Sequence, residues 1–150
     1  MRIALGADHG GFDLKEIIKN YLQKEHSTEH EVFDCGPEKY DKDDDYPFYA
    51  GLVVGGIDDN KYDRGILICT RGFGMAIAGN KGRKTRAANC WDAESVRIAR
   101  EHNNINILVM GSDYITSDDL AKEIVNAFLY TESSDEARHV RRVKKLSNMI

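Results

Sequence analysis

Thiol, imidazole, carboxylate and guanidinium groups recur in this chain where turns could present them, and one thiol leads the rest. Cys69 closes the apolar run Ile66-Leu67-Ile68; Thr70 and Arg71 then lead into Gly72-Phe73-Gly74 and the small-residue stretch from Met75 to Ala78. A short apolar run bounded by glycine reads as a buried strand. Two glycines one residue apart let the backbone turn tightly and present its N–H groups. The first turn of the helix predicted after them adds further unpaired N–H groups, so the turn is a site for negative charge. A thiol beside such a helix start has its thiolate favoured and can serve as base or nucleophile near neutral pH. The competing reading is a structural cysteine in an ordinary strand-to-helix turn. Four other groups carry chemistry: Asp8-His9, Asp45-Tyr46-Pro47, His102-Asn103, and Arg138-His139 with Arg141 and Arg142. Singly, each has a bland alternative. Asp8 can cap a helix, His102 can complement a helix dipole, and the arginines can form a solvated face.

The elements that must position these groups alternate regularly. Strands are expected at Ile3–Ala7, Val32–Cys35, Ile66–Cys69, Thr85–Cys90 and Ile105–Gly111. Between and after them lie helical patterns. Leu14, Ile17, Ile18, Tyr21 and Leu22 share one face; a second helix opens at Tyr46-Pro47 with proline in its first turn. The helix after Gly74 runs to about Lys81, another covers Asp92 to Asn103, and Ser117 caps one that reaches Leu129. A last, basic helix runs from Ser133 to about Leu146. The pattern predicts a single domain, residues 1–150: a three-layer αβα sandwich around a five-stranded parallel sheet, Rossmann-like in kind. Ligands of such sheets bind outside the carboxyl ends of the strands. Asp8-His9, Cys35, Cys69 and Cys90 all follow strands, so one rim should gather them.

Composition narrows the classes. The 150 residues are 41% hydrophobic and 31% charged, with net charge −4 and a pI near 5.7. That balance argues against nucleic acid as a partner, and no apolar run has membrane-spanning length. Three cysteines and an N-terminus that enters a strand directly point to free thiols in the cytoplasm. Several motifs fail on inspection. The dinucleotide fingerprint lacks its third glycine, where Ile77 stands, and the phosphate-loop pattern has Asn80 where lysine is required. His26-Ser27-Thr28-Glu29-His30 matches H-x-x-E-H, but it lies in a polar stretch without a hydrophobic face to hold two imidazoles and reads as a solvated loop. Asp41 to Asp45 begins like a calcium loop, yet Tyr46 occupies the required glycine position; it too reads as a solvated acidic loop.

Taken together, the surviving pieces resemble the type B ribose-5-phosphate isomerases and related galactose-6-phosphate isomerase subunits, across essentially the whole chain. The markers are Gly6-Ala7-Asp8-His9-Gly10-Gly11-Phe12, Asp45-Tyr46-Pro47, Gly65 to Cys69, Gly72-Phe73-Gly74, Asn80-Lys81, Glu101-His102-Asn103-Asn104 and Arg138-His139. The resemblance implies interconversion of an aldose and a ketose phosphate through an enediolate, with no metal or organic cofactor. It also implies a homodimer or tetramer with active sites shared between subunits, to which the C-terminal helix extends. Cys69 would be the general base between C1 and C2, although another branch uses a glutamate where Met75 stands. Amides from Gly72 through Phe73 and Gly74 to Met75 would hold the enediolate oxygen. His102 with Asp8 would open the furanose ring; Asn103 and Tyr46 would fix hydroxyls; His9, Arg138 and Arg142 would grip the phosphate, the arginines coming from the partner.

Two departures stand out. The family usually has a small hydroxyl residue where this chain has Arg71, and an arginine where it has Asp113. A compensating exchange predicts that Arg71 supplies the missing cation, as a further substrate-binding residue, and pairs with Asp113 within about 8 Å, a screening length at physiological salt. The preferred substrate is a five-carbon sugar phosphate. Allose or galactose phosphate is the alternative, as is a non-catalytic sugar-phosphate-binding subunit of the same fold.

Overall fold

A computed structural model describes residues 1–149. Among the described residues, five strands form one sheet: β1 (Arg2–Ala7), β2 (Glu31–Asp34), β3 (Arg64–Cys69), β4 (Ala87–Asn89) and β5 (Ile107–Gly111). Six helices accompany them: α1 (Phe12–Glu25), α2 (Tyr46–Asp58), α3 (Phe73–Gly79), α4 (Ala93–Asn103), α5 (Asp118–Tyr130) and α6 (Ala137–Ser147). Every strand pair is parallel, in the order β2-β1-β3-β5-β4. Ile3, Leu5, Ile66, Ile68, Leu108 and Met110 face the layer of α1, α4 and α5. Ala4, Leu67, Ile107 and Val109 face α2 and α3. Burial on both faces explains why the strands read as continuous apolar runs instead of alternating ones. Among the described residues, no helix is long and apolar enough to cross a membrane.

Several boundaries differ from the sequence expectation, each for a local reason. Asn104 caps α4 in the left-handed region at φ 46°, so Ile105 and Asn106 form the turn before β5. The Asn106 side chain accepts from Arg86 N–H at 2.7 Å, which holds the chain off β4 until Ala87. The last helix begins at Ala137, not Ser133, because Ser134 N–H donates to Glu101 O at 3.0 Å and fixes an extended approach. Under edge strand β2, Lys15 is fully buried with its ammonium 2.7 Å from both Glu16 and Asp34, while Lys19 bridges the same two carboxylates.

The strand order creates a switch point. After β1 the chain passes to α1 on one face; after neighbouring β3 it passes to α3 on the other. Diverging loops of this kind leave a crevice at the carboxyl rim. Glycine makes the closest approach possible: a Cβ on Gly11 would sit 2.5 Å from Ile68 O. Gly11→Ala is therefore expected to cost roughly 1–3 kcal/mol by overpacking, read as a lower urea midpoint at unchanged slope. An unchanged midpoint would show that the two loops have slack.

Candidate active site

Three loops meet at the switch point. Asp8 N–H donates to Ile68 O at 3.3 Å, Asp113 N–H to Thr70 O at 3.0 Å, and Ser112 Oγ to Gly10 O at 2.6 Å. The turn after β3 is built as its glycines require. Gly72 has φ 81°, and a Cβ there would meet the Asn89 side chain, whose amide donates to Arg71 O at 3.1 Å. A Cβ on Gly74 would lie 2.5 Å from the Tyr46 ring. Tyr46, at the start of α2, thus packs directly on the turn. Gly72 N–H donates to Cys69 Sγ at 3.1 Å. This amide serves the thiol, so the amides left at the head of α3 are those of Phe73, Gly74 and Met75, while the Met75 side chain is core. Cys69 itself is 7% exposed.

Asp8 is buried and its Oδ1 accepts from Gly11 N–H at 3.1 Å; burial raises its pKa more than that bond lowers it. His9 is held by Asp44, whose Oδ1 takes the His9 backbone N–H at 3.0 Å and faces its Nδ1 at 2.7 Å. The Asp44 side chain is only 4% exposed. The acidic stretch was expected to be solvated throughout; Asp44 departs from that because the loop after β2 folds back over β1's end. Its one sequence signal is adjacency to Asp45-Tyr46-Pro47. The bond to Asp44 raises the His9 pKa. Arg71 Nε lies 3.3 Å from Asp113 Oδ2, the pairing that the compensating exchange requires. Both side chains are exposed, so the pair contributes little to stability and leaves the guanidinium at the rim.

Other sequence candidates lie elsewhere. Cys90 shares the rim but faces the opposite layer, with Val96 and Met110, and burial pushes its thiol up to about 11. Cys35 packs near Tyr62, 3.8 Å from its hydroxyl, and burial raises its pKa. The expected gathering of strand-end cysteines is thus one of position along the strands, not of a common pocket. His102 and Asn103 end α4, which runs from the carboxyl end of β4 back to the amino end of β5. They are therefore at the far rim. Cys69 is paired with Gly111, and from there to Ile107 the strand alone spans about 13 Å. Beside them, α6 packs on α4 and puts the His139 ring 4.2 Å from that of His102. His139 is buried, which lowers its pKa, helped by His102 and Arg138. Arg138 and Arg142 are exposed on the same helix, Arg138 with its Nε 2.8 Å from Glu136. One chain thus places these candidates apart: Asp8, His9, Tyr46, Cys69 and Arg71 on one rim, His102, Asn103, Arg138 and Arg142 toward the other.

Strand order and rim chemistry define the class, a doubly wound α/β protein with its ligand crevice between two diverging strand-end loops. A family model described as Ribose/Galactose Isomerase matches residues 3–146, and the chain belongs to that family; it is an isomerase. It is 38% identical to ribose-5-phosphate isomerase B of Mycobacterium tuberculosis over 147 residues, covering 98% of this chain and 88% of that protein. It is 39% identical over 132 residues to the D-erythrulose-4-phosphate isomerase of Pectobacterium atrosepticum, covering 88% and 84% of the two chains. The crystal structure of ribose-5-phosphate isomerase B from Mycoplasma genitalium with bound ribulose-5-phosphate superposes with a TM-score of 0.89 at 35% identity. The match covers 98% of this chain and 94% of that one.

The His9 pairing fixes a sign. Because the folded pKa of His9 is raised above 6.5, the pair's stabilisation is full below that value and is lost as pH rises through the folded one. Asp44→Asn is expected to move the His9 titration, followed by NMR of the imidazole, to lower pH. A titration that stays in place would mean that Asp44 does not hold the ring.

Proposed function

We propose that this isomerase interconverts ribose 5-phosphate and ribulose 5-phosphate through an enediolate, at a site completed by a second copy of the chain. The observation that carries the reading is the Cys69 thiol set against the Gly72–Gly74 turn, between Asp8-His9 and Tyr46. Cys69 removes the proton from C2 of the open-chain aldose and returns it to C1, so no external electron acceptor is involved. The amides of Phe73, Gly74 and Met75 stabilise the enediolate oxygen; losing one such donor typically raises the barrier by about 3–4 kcal/mol. Tyr46 and Asn103 fix hydroxyls. Asp8 and His102 exchange protons with the ring oxygen and O1 during ring opening. His9, Arg71, Arg138 and Arg142 bind the phosphate, and that remote anchor positions the carbons for proton transfer.

Two features support a second copy. The groups assigned to one reaction lie toward opposite rims of one fold, and helices α2 and α3 leave Phe48, Leu52, Phe73 and Ile77 exposed beside the crevice. An apolar face of this kind marks an interaction surface. Its free thiols fit a reducing compartment, and we place the reaction in the cytoplasm. The Arg71–Asp113 pair favours a second reading, a sugar phosphate of another length, because it alters the charge at the rim where a phosphate would bind.

A coupled assay with ribose 5-phosphate tests the first reading, with erythrulose 4-phosphate and the allose and galactose 6-phosphates as comparators. Cys69→Ala is expected to lower kcat by roughly 10²–10⁴-fold with KM nearly unchanged. Equal turnover by variant and wild type would remove Cys69 as the base. For the shared site, inactive Cys69→Ala and His102→Ala chains are unfolded and refolded together. Random pairing into a two-fold dimer leaves one intact site in half of the dimers, restoring up to about a quarter of wild-type activity. No recovery from properly refolded, associated chains would assign both residues to the same subunit's site.

A further inference from the structure

At the rim opposite Cys69 lies a second cluster of titratable groups that the proposed mechanism does not use. The chain leaves α1 through a tight turn in which Glu29 N–H and His30 N–H both donate to His26 O, at 3.0 and 2.9 Å. That turn brings His26, Glu29 and His30 to one side, with one ligand-capable atom from each lying within 4.8 Å of the others. The polar stretch was expected to be solvated, yet His30 is buried. The missing walls come from distant aromatic residues: Tyr21 of α1 and Tyr130 at the end of α5 pack their rings on His26.

The hydrogen bonds converge on one point. Tyr130 Oη lies 2.9 Å from His26 Nδ1, 2.7 Å from Glu29 Oε2 and 3.3 Å from His30 Nε2. A phenol has one proton, so it can donate to only one of these three. The outer contacts settle a tautomer. Tyr21 Oη donates to Asn126 Oδ1 at 3.0 Å and so accepts from His26 Nε2, also at 3.0 Å. With Nε2–H given to Tyr21, His26 directs Nδ1 inward, the arrangement that an outer-shell partner imposes on a metal-binding imidazole. His30 Nδ1 faces the Met1 amino group at 3.5 Å, leaving Nε2 toward the centre.

We propose that His26, Glu29 and His30 bind a divalent transition-metal ion, zinc above all, with Tyr130 or solvent at the fourth position. Two imidazoles and one carboxylate suit zinc better than calcium or magnesium, which favour all-oxygen sets. Metal–ligand bonds of about 2.0–2.2 Å put tetrahedral ligands roughly 3.3–3.5 Å apart, so side-chain adjustments of an ångström or so close the site. Tyr130 Oη, 2.7 Å from Glu29 Oε2, stands beside all three ligand atoms and either joins as the fourth group or yields its place to water. A solvent-open cleft of about 510 Å³ lined by Glu29 and His30 gives the ion access. Bound there, it would tie the end of α1 to β2 and, through Tyr130, to α5, far from the thiol.

The test uses the full-length protein in phosphate-free buffer, titrated with Zn²⁺ by calorimetry and with Co²⁺ by absorption. The expected result is one ion per chain, visible Co²⁺ bands without near-ultraviolet thiolate charge transfer, and an unfolding midpoint raised by about 5–10 °C at a hundredfold excess over Kd. His26→Gln and the exposed Glu29→Gln, each checked for folding by circular dichroism, should weaken binding by about a hundredfold or more, beyond the usual cost of an outer-shell change. Thiolate bands, affinity indifferent to both substitutions, or no saturable binding below millimolar zinc would each overturn the proposal. So would loss of isomerase turnover on chelation, which would put the ion in the chemistry. The binding result stands or falls independently of which sugar phosphate is turned over.

Discussion

The parallel pairing of β1 with β3 is the constraint on which the crevice at the carboxyl rim depends. It runs from Ile3 opposite Arg64 to Ala7 opposite Ile68, and ends where Asp8 N–H still reaches Ile68 O. Beyond that point the two chains leave for opposite faces, and only glycine allows them to stay close as they part. Gly10 would meet Thr70 and Gly11 would meet Ile68 if either carried a side chain. Strand pairing therefore sets both the separation of Asp8-His9 from Cys69 and the position of the amides that follow. Stability and chemistry meet in the same few backbone contacts, since the packing that closes the sheet's core is what holds the loops together.

Much of this was legible in the sequence because buried parallel strands declare themselves as apolar runs and glycine marks the turns. All five strands, the helices between them and the glycine turn after Cys69 fall in the stretches that periodicity assigned, with β4 and β5 shorter than expected. Strand order was not readable: each crossover is compatible with either neighbour, and only tertiary packing puts β3 beside β1 and β5 between β3 and β4. Asp44 was missed because an acidic run reads as solvated, while burial of one member depends on a loop returning over another strand's end. The His26–His30 stretch was misread for a related reason. The hydrophobic walls of that turn come from Tyr21 and from Tyr130, and the latter lies a hundred residues away from His30. The Arg71–Asp113 pair went the other way: a departure at one position made sense of a departure at another, and geometry supports their coupling.

A helix that returns from one strand to the start of the next necessarily carries its last residues to the opposite rim. That is why His102 and Asn103, although they look like neighbours of Cys69 in a motif list, stand apart from it in one fold. The same return brings α6 against α4 and assembles a basic, imidazole-containing surface separate from the thiol. Sequence motifs report which groups a reaction requires; topology decides how many chains must supply them. On the shared-site reading, the exposed apolar side chains of α2 and α3 are the means by which the two rims meet.

Lys15 carries a consequence of a different kind. Its ammonium is out of water and is balanced by Glu16 and Asp34, whose pKa values end up lowered because the lysine hydrogen bonds outweigh the cost of burial. Carboxylates of this sort stabilise the fold above their unfolded pKa and cease to do so as pH falls through the lowered folded value. In acid, then, the buried cation loses its counter-ions, and the strand it secures, β2, lies at the sheet's edge with a single neighbour. Loosening there would travel along the chain that leaves β2 toward Asp44, the carboxylate that steadies His9. A charge hidden beneath one margin of the sheet thereby makes acid tolerance and the set of the His9 imidazole parts of one mechanical problem.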